Sequence, residues 1–340
     1  MEDSRKKDKM RGAFVGLAVG DALGAPVQFM ERGTFPRVTG MRGGAFGALP
    51  AGTWTDDTAM ALCLAYSIGK CRGLDTDDQM AAYADWLQNG FMSSIGEAFD
   101  VGNCTYRAIS AYIQAVFTGR DFEGVPFGCT YPDSAGNGSI MRLAPVPIVT
   151  MALDFTTAMH WAASSSRDTH AHPEAVDGAR LLTALVRSAL IVDGSERAKS
   201  DRRWVTDSQG FATEFLATDK MKGLARELPG LEGMEEDIVP DSTYVYDTLK
   251  AAVWAFVNTT SFEECLLTAV NLGGDADSIG AVAGQIAGAF YGYSAIPGKW
   301  IDVLARRTLV EDAATRLAEL YGTITEDVAT EVLDGHGDAA

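Results

Sequence analysis

The sequence predicts an all-α fold in a single domain. Apolar residues recur mainly at helical spacing along the 340 residues, whereas alternating β-branched residues, the pattern of a half-buried strand, are scarce. With 47% hydrophobic residues, the chain can bury one large core. None of its irregular stretches has the length or composition of an interdomain linker. We therefore treat 1–340 as one domain, and we expect the charged residues 1–10 to form a mobile terminal arm.

The helical pattern appears in separate segments, which Gly- or Pro-containing stretches interrupt. The predicted helices are 10–24, 56–69, 77–89, 104–118, 155–166, 173–192, 243–258, 261–271, 278–292 and 307–322. The remaining irregular segments are interpreted as two loops, 31–54 and 119–136, and two surface excursions, 193–207 and 228–242.

Two of these helices carry glycine at every fourth position. The positions are Gly12, Gly16, Gly20 and Gly24 in the first, and Gly280, Gly284, Gly288 and Gly292 in the second. This spacing puts each set on one narrow helix face, where another helix can approach closely. Each glycine weakens its helix by about 1 kcal/mol relative to alanine, so packing must compensate. Two interpretations stay open: close packing alone, or two helices that meet near a ligand site and leave room for it.

Charge and cysteine content exclude several classes of partner. The chain has 46 acids against 28 bases and a formal net charge of −18. Nucleic acid and anionic membrane surfaces both require a basic face, so neither is an expected partner. No apolar run is long enough for a membrane span. The 5 scattered cysteines show no metal-like spacing with the 4 histidines, which predicts reduced thiols and a cytoplasmic protein.

Two short acidic clusters are candidate metal ligands. Thr55-Asp56-Asp57-Thr58 and Asp275-Ala276-Asp277-Ser278 each follow a glycine-containing turn and precede an apolar helical run. Simple helix capping is one explanation, because Thr and Asp satisfy the free N–H groups of a first turn. If the fold brings the clusters together, their carboxylates repel one another and need cations. An all-oxygen site suits Mg²⁺, Mn²⁺ or Ca²⁺ rather than zinc.

Several segments, taken in order, resemble the ADP-ribosylglycohydrolase family. Any one of them is a weak signal, but the ordered set is specific. The segments are Gly20–Pro26, Gly52–Thr58, Phe99–Asn103, Ala135–Arg142, Thr169–Pro173, Tyr244–Leu249 and Asn271–Gly280.

The resemblance implies an orthogonal helix bundle with a cleft that binds two Mg²⁺ ions, or Mn²⁺ in their place. The implied activity is hydrolysis of ADP-ribose from modified protein side chains, with ADP-ribosyl-arginine as the expected substrate. The implied metal ligands are Thr55, Asp56, Asp57, Asp275, Asp277 and Ser278. Ser278 replaces a more usual threonine but keeps the hydroxyl. The implied catalytic residues are Asp56, Asp57, Asp100 and Asp277.

The resemblance also places the substrate. Asp100 would lie next to the distal ribose, although it could instead cap the following helix. Donors to the pyrophosphate would come from Gly136, Asn137, Gly138 and Ser139. His170 would line the same groove as a neutral imidazole, and Tyr244 would contact the adenosine side. His172 is interpreted as a capping or packing residue.

Gln28 departs from the family pattern, because many bacterial members have glutamate there. Glutamine cannot act as a base or carry negative charge. Activity would then rest on Asp56, Asp57 and Asp100, with Glu31, three residues away, as an alternative acid. Gln28 also motivates an alternative: a binding or immunity protein that binds ADP-ribose or occludes an ADP-ribosyltransferase toxin. An enzyme of isoprenoid diphosphates is disfavoured, because the acids here are adjacent at helix starts rather than spaced along helix faces.

Overall fold

The computed structural model describes residues 2–120, 126–191 and 210–324, and throughout these ranges the regular elements are helices. The α-helices are α1 Glu2–Gly24, α2 Asp56–Cys71, α3 Thr76–Asn89, α4 Asn103–Thr118, α5 Pro145–Val149, α6 Phe155–Arg167, α7 Pro173–Ile191, α8 Gly210–Thr213, α9 Asp219–Glu227, α10 Val245–Val257, α11 Phe262–Val270, α12 Ala276–Tyr291, α13 Gly298–Ile301 and α14 Arg307–Leu320.

Every predicted helix occurs, and apart from the start of α1 the bounds agree within about two residues. The sequence pattern missed α5, α8, α9 and α13, which span three turns or fewer and give too few repeats to be recognised. The predicted excursion 228–242 contains two short 3₁₀ turns, Leu228–Gly230 and Glu236–Ile238. The other predicted excursion, 193–207, lies outside the described residues.

α1 continues back to Glu2, so residues 2–10 are helical, and the mobility expected of residues 1–10 stays a prediction. Asp8 accepts hydrogen bonds from the backbone N and the Oγ of Ser294, at 3.1 and 3.0 Å. The ammonium of Lys9 donates to the carbonyl oxygen of Ala189 at 2.9 Å, and Met10 is buried. Polar partners for Asp8 and Lys9 therefore hold this end of the helix against the domain.

α1 packs against α12 along the glycine stripes. The facing pairs are Gly12 with Gly288, Gly16 with Gly284, Gly20 with Gly280 and Gly24 with Ala276. A Cβ on the α1 glycines would come within 2.0–2.4 Å of a carbonyl oxygen of α12. The two helices are antiparallel and in backbone contact, which confirms the packing interpretation. They leave no room for a ligand between them, but the C-terminal end of α1 reaches the start of α12, where the second acidic cluster lies.

The helices surround one continuous hydrophobic core, in which Trp54, Trp86, Trp161 and Trp300 are among the largest fully buried side chains. Two isolated β-bridges tie loops together beside the start of α12, one joining Cys129 to His170 and the other joining Gly136 to Tyr244. Among the described residues, no helix combines the length and apolarity that a membrane crossing requires.

Candidate active site

The first acidic cluster forms the start of α2. Thr55 is the N-cap residue, and its hydroxyl accepts a hydrogen bond from the Asp57 backbone N at 3.5 Å. Asp56 and Asp57 occupy the first turn and are buried. The turn before them requires Gly52, which has φ +83° and lies so close to Val303 that a Cβ would be 1.9 Å from its carbonyl oxygen. Helix capping therefore explains Thr55, but it leaves the two carboxylates free for another role.

Asp21, which the sequence reasoning did not assign, supports this turn from beneath. Its carboxylate accepts hydrogen bonds from the backbone N of Thr55 at 2.9 Å and of Thr58 at 3.0 Å, and from the Thr58 hydroxyl at 2.5 Å. Burial raises the pKa of Asp21 to about 7, against the effect of these hydrogen bonds. Asp21 belongs to the Gly20–Pro26 segment that resembles the family, so the sequence contained a signal for it.

The second cluster forms the start of α12. Asp275 is the N-cap residue but makes no capping bond through its side chain, and Asp277 lies in the first turn. Gly273 and Gly274 precede it with φ +75° and +56°, a conformation that favours glycine. The backbone N of Asp275 donates to the Asp241 carbonyl at 2.8 Å, which fixes the turn against a neighbouring loop.

The two clusters meet. The Ser278 hydroxyl lies 3.5 Å from Oδ1 of Asp57. Burial, followed by the neighbouring carboxylates, raises the pKa of Asp56, Asp57 and Asp277 well above the usual value. These raised pKa values reflect the cost of burying several carboxylates next to one another. Asp100 and Asp275 are among the carboxylates that raise these pKa values.

The donor set fits a divalent cation that prefers oxygen. Oδ2 of Asp57 and Oδ2 of Asp277 are buried and have no hydrogen-bond partner. Such atoms are costly to bury unless something compensates them, and a cation between the clusters would do so. Within the described ranges, no three His, Cys, Asp or Glu side chains are close enough together to form a complete metal site from these residue types alone.

These acids lie at the floor of a cleft of about 570 Å³. Its lining includes the predicted residues Gln28, Asp56, Asp57, Asp100, Gly136, Asn137, Gly138, His170, Asp275 and Ser278. Thr55 and Asp277 are buried beneath that surface. Glu31 does not line this cleft and lies instead on an adjoining groove, so it does not replace Gln28.

Asp100 is one wall of the cleft. The N-cap residue of α4 is Gly102, so the alternative that Asp100 caps this helix is wrong. Asp100 has φ +57°, unusual for a residue with a side chain, and its Oδ2 accepts a hydrogen bond from Nε2 of Gln28 at 2.8 Å. Burial raises the pKa of Asp100, and the bond from Gln28 lowers it. Gln28 thus acts on the carboxylate that faces the acidic floor.

The glycine-rich loop forms the opposite wall, but it offers fewer donors than expected. The Asn137 backbone N donates to the Thr243 carbonyl, and its side-chain amide donates to Asp275 and Thr248. Asn137 therefore positions Asp275 rather than presenting free donors. The Ser139 hydroxyl is buried and lies 2.9 Å from Oγ of Ser166, so it does not line the cleft, and a contact of Ser139 with pyrophosphate stays a prediction.

His170 is buried beside this loop, so close that a Cβ on Gly138 would be 2.5 Å from its Cε1. Burial, together with the nearby Arg142 guanidinium, lowers the pKa of His170 to about 3, so the ring is neutral. The Thr169 hydroxyl accepts from Arg142 at 2.6 Å and lies 2.8 Å from Nδ1 of His170. If Thr169 donates its hydrogen to Nδ1, the proton of the ring resides on Nε2, which can then donate to a ligand.

Tyr244 lies outside the cleft itself. It lines an adjoining hollow of about 390 Å³ that shares Asp133 and Gly136 with the cleft. Its hydroxyl donates to Glu174 at 2.5 Å. A contact between Tyr244 and adenosine stays a prediction. His172 is a capping residue, because its Nδ1 accepts from the Glu174 backbone N at 3.2 Å at the start of α7.

Aromatic rings at the cleft mouth were not predicted. Phe29 has φ +59° and is 66% exposed, and it lies between the cleft and the adjoining groove of about 830 Å³. Tyr131 lines the cleft on the side of Cys104. A single exposed aromatic residue gives no signal in a sequence, because its neighbours are set by the fold.

Comparison with known proteins decides the family. The model of the ADP-ribosylglycohydrolase family matches residues 2–326. The chain belongs to this family. It is 37% identical over 316 residues to the ADP-ribosylarginine hydrolase Tri1 of Serratia proteamaculans, covering 93% of this chain and 80% of that protein. It is 32% identical to the ADP-ribosyl-[dinitrogen reductase] glycohydrolase of Rhodospirillum rubrum, covering 87% and 90%.

A solved structure supports the same assignment. A chain described as an ADP-ribosylglycohydrolase-related protein complex matches with a TM-score of 0.74 and 36% identity, covering 93% of this chain and 99% of that chain. These matches confirm the family resemblance, the all-α fold of the ADP-ribosylglycohydrolase type and the prediction that the protein is a hydrolase of this family.

Proposed function

We propose that this protein hydrolyses the bond between ADP-ribose and an arginine side chain of a modified protein, with two Mg²⁺ ions as cofactors and Mn²⁺ as a substitute. The observation that carries the proposal is the meeting of two buried acidic clusters at the floor of a cleft, with unpartnered oxygens on Asp57 and Asp277. Arginine is the proposed acceptor because Tri1 of Serratia proteamaculans, a relative at 37% identity, is an ADP-ribosylarginine hydrolase.

Charge explains why cations are needed. ADP-ribose carries a diphosphate, and the cleft floor is acidic, so substrate and site repel each other without a counter-ion. The proposed ligands are Thr55, Asp56, Asp57, Asp275, Asp277 and Ser278. Bound cations would neutralise the floor, orient the hydroxyls of the distal ribose and activate water.

Side chains of the cleft would supply the other steps of the reaction. Cleavage breaks the bond from C1″ of the ribose to a guanidinium nitrogen, water adds to C1″, and the products are ADP-ribose and unmodified arginine. Positive charge develops at C1″ as the nitrogen departs, and a carboxylate beside it is stabilising. We assign this role to Asp100, which lines the cleft and whose Oδ2 accepts the hydrogen bond from Gln28. His170, neutral and protonated on Nε2, would donate to the diphosphate.

The protein part of the substrate would approach past Phe29. Phe29 separates the cleft from the adjoining groove, whose lining includes Glu31, Glu236 and Asp237. The groove is also lined by Asp241, Arg32 and Arg37, and Arg32 pairs with Asp241, so acids still exceed bases there. A basic segment of the modified protein suits this excess of acids. The proposed location is the cytoplasm, which is consistent with five free cysteines among the described residues.

The test uses purified protein and an ADP-ribosylated arginine substrate, with Mg²⁺ or with a chelator. We expect release of ADP-ribose with Mg²⁺ and loss of release on chelation. Absence of release in both conditions would refute the proposed hydrolysis. An immunity protein that occludes a toxin, the alternative suggested by Gln28, predicts instead that an Asp56→Ala variant still protects cells and still binds the ADP-ribosyltransferase.

A further inference from the structure

The last turn of α1 contacts both acidic clusters, from two different faces. Asp21 is directed toward α2, where its carboxylate accepts hydrogen bonds from Thr55 and Thr58. Gly24 lies against α12, where a Cβ would come within 2.5 Å of the Asp277 Cα. One rigid helical turn therefore lies between the two groups of acids.

Asp21 is not itself placed to bind a cation. Its Oδ1 accepts from the Thr55 backbone N at 2.9 Å. Its Oδ2 accepts from the Thr58 backbone N at 3.0 Å and from the Thr58 hydroxyl at 2.5 Å. The carboxylate is fully buried and does not line the cleft. Asp21 thus holds the backbone of the turn that carries Asp56 and Asp57.

We infer that the last turn of α1 sets the separation of the two acidic clusters, and that Asp21 is a positioning residue for the ligands at the start of α2. The inference rests on the proposed metal site, because positioning matters only if both clusters bind the same cations. Neighbours that orient metal ligands commonly change metal affinity by about 10–100-fold when they are replaced. The backbone N of Thr55 contacts both oxygens of Asp21, and Thr58 contacts Oδ2. In either orientation, the NH2 group of an amide at position 21 would face a backbone N–H of Thr55 or Thr58, so at least one of these hydrogen bonds is lost.

The chain contains a matched control in Asp177. This acid of α7 is also fully buried, and its carboxylate accepts from the Ala217 backbone N at 3.0 Å, and from the backbone N and the hydroxyl of Thr218, both at 2.8 Å. Asp177 therefore holds the start of α9 as Asp21 holds the start of α2, with an additional contact of 3.5 Å from Nη1 of Arg180. It does not line the cleft, so Asp177→Asn reports the structural cost of losing such a contact without a change in the acidic clusters.

The experiment measures Mn²⁺ affinity by electron paramagnetic resonance on the full chain, in wild type, Asp21→Asn and Asp177→Asn. Circular dichroism establishes that each variant is folded. We expect Asp21→Asn to weaken Mn²⁺ binding by about 10-fold or more and Asp177→Asn to leave it within about 2-fold. Thr58→Val, which removes only the hydroxyl bond to Asp21, should weaken binding several-fold, and Thr58→Ser should restore it.

The outcomes are distinct. Wild-type affinity in Asp21→Asn, or an equal loss in Asp177→Asn, overturns the positioning role while the metal site stands. If Asp21→Asn does not fold, wild-type affinity in Thr58→Val overturns it instead. Failure of the wild-type chain to bind Mn²⁺ at all overturns the proposed metal site, and this inference with it.

Discussion

Gln28 and Asp100 are joined across the cleft wall by a hydrogen bond of 2.8 Å from Nε2 to Oδ2. The amide of Gln28 does not neutralise the charge of Asp100, but it donates a hydrogen bond to that single carboxylate. A glutamate at the same position would instead place two carboxylates in contact, and these would have to share a proton or a cation. The departure from the family pattern at Gln28 is therefore compatible with activity that uses Asp100.

Gln28→Glu should lower the stability of the metal-free protein and make it more dependent on Mg²⁺. The added carboxylate faces Asp100, and solvent at the cleft wall reduces the expected cost to about 1–2 kcal/mol. Thermal unfolding with and without Mg²⁺ checks this, with Gln28→Ala as the control that removes the hydrogen bond without adding charge. A Mg²⁺-induced rise in Tm equal to that of wild type would contradict the prediction.

Asp57→Asn should raise the stability of the metal-free protein and lower its activity. Removal of one buried charge relieves the repulsion among the clustered acids, so the metal-free protein should unfold at a higher temperature than wild type. Because Asp57 is a proposed metal ligand, the substitution should at the same time lower kcat/KM by about 100-fold or more. Differential scanning calorimetry and the ADP-ribose release assay measure the two effects. A variant that loses stability would show that the carboxylates do not repel one another.

His170 should make the protein sensitive to acid. Its pKa is lowered to about 3 in the folded state, from a usual value of 6.5, because the ring is buried near Arg142. The contribution of the neutral, buried ring to the free energy of unfolding is fully present above about pH 6.5. It is lost as the pH falls toward 3, because only the unfolded chain takes up the proton in that range. Wild type should lose up to about 1.4 kcal/mol per pH unit relative to His170→Gln between pH 6 and pH 4. Urea unfolding of both proteins at several pH values gives the difference, and parallel pH curves would contradict this assignment.

Gly16→Ala should unfold or severely destabilise the protein. Its Cβ would lie 2.3 Å from the Gly284 carbonyl oxygen, so α1 and α12 would have to move apart. Gly69→Ala is the matched control, because Gly69 lies inside α2 with nothing within 4 Å of the added Cβ. There the substitution should stabilise the helix by up to about 1 kcal/mol. Equal effects of the two substitutions on the urea midpoint would rule out the close backbone contact.

Phe29→Gly should raise KM for a modified protein without loss of stability. The ring is exposed at the cleft mouth, and φ +59° is a conformation that glycine adopts without strain. The free energy of unfolding should stay constant or rise by about 1 kcal/mol. Assays that compare an ADP-ribosylated protein with free ADP-ribosyl-arginine test the role, since the small substrate should be little affected. An equal change in KM for both substrates would place Phe29 at the ribose rather than at the protein acceptor.

The helices and the identity of the acidic clusters could be predicted from the sequence. Helical spacing of apolar residues is a local property, and it located α2, α7 and α12 within about two residues. The four-residue spacing of glycines likewise predicted a close helix contact, and Thr55-Asp56-Asp57-Thr58 was recognisable as a helix start. Family resemblance then assigned roles that spacing alone cannot assign.

The direction of individual side chains depended on the folded arrangement of distant segments. Ser139 belongs to a recognised segment, yet its hydroxyl lies against Ser166 and away from the cleft. Asp21 lies in the Gly20–Pro26 motif, but its contacts with Thr55 and Thr58 follow only from the packing of α1 beneath the start of α2. Residues close in sequence determine where a helix forms and which of its faces is apolar. Partners far apart in sequence meet only once packing has fixed the distance between the helices.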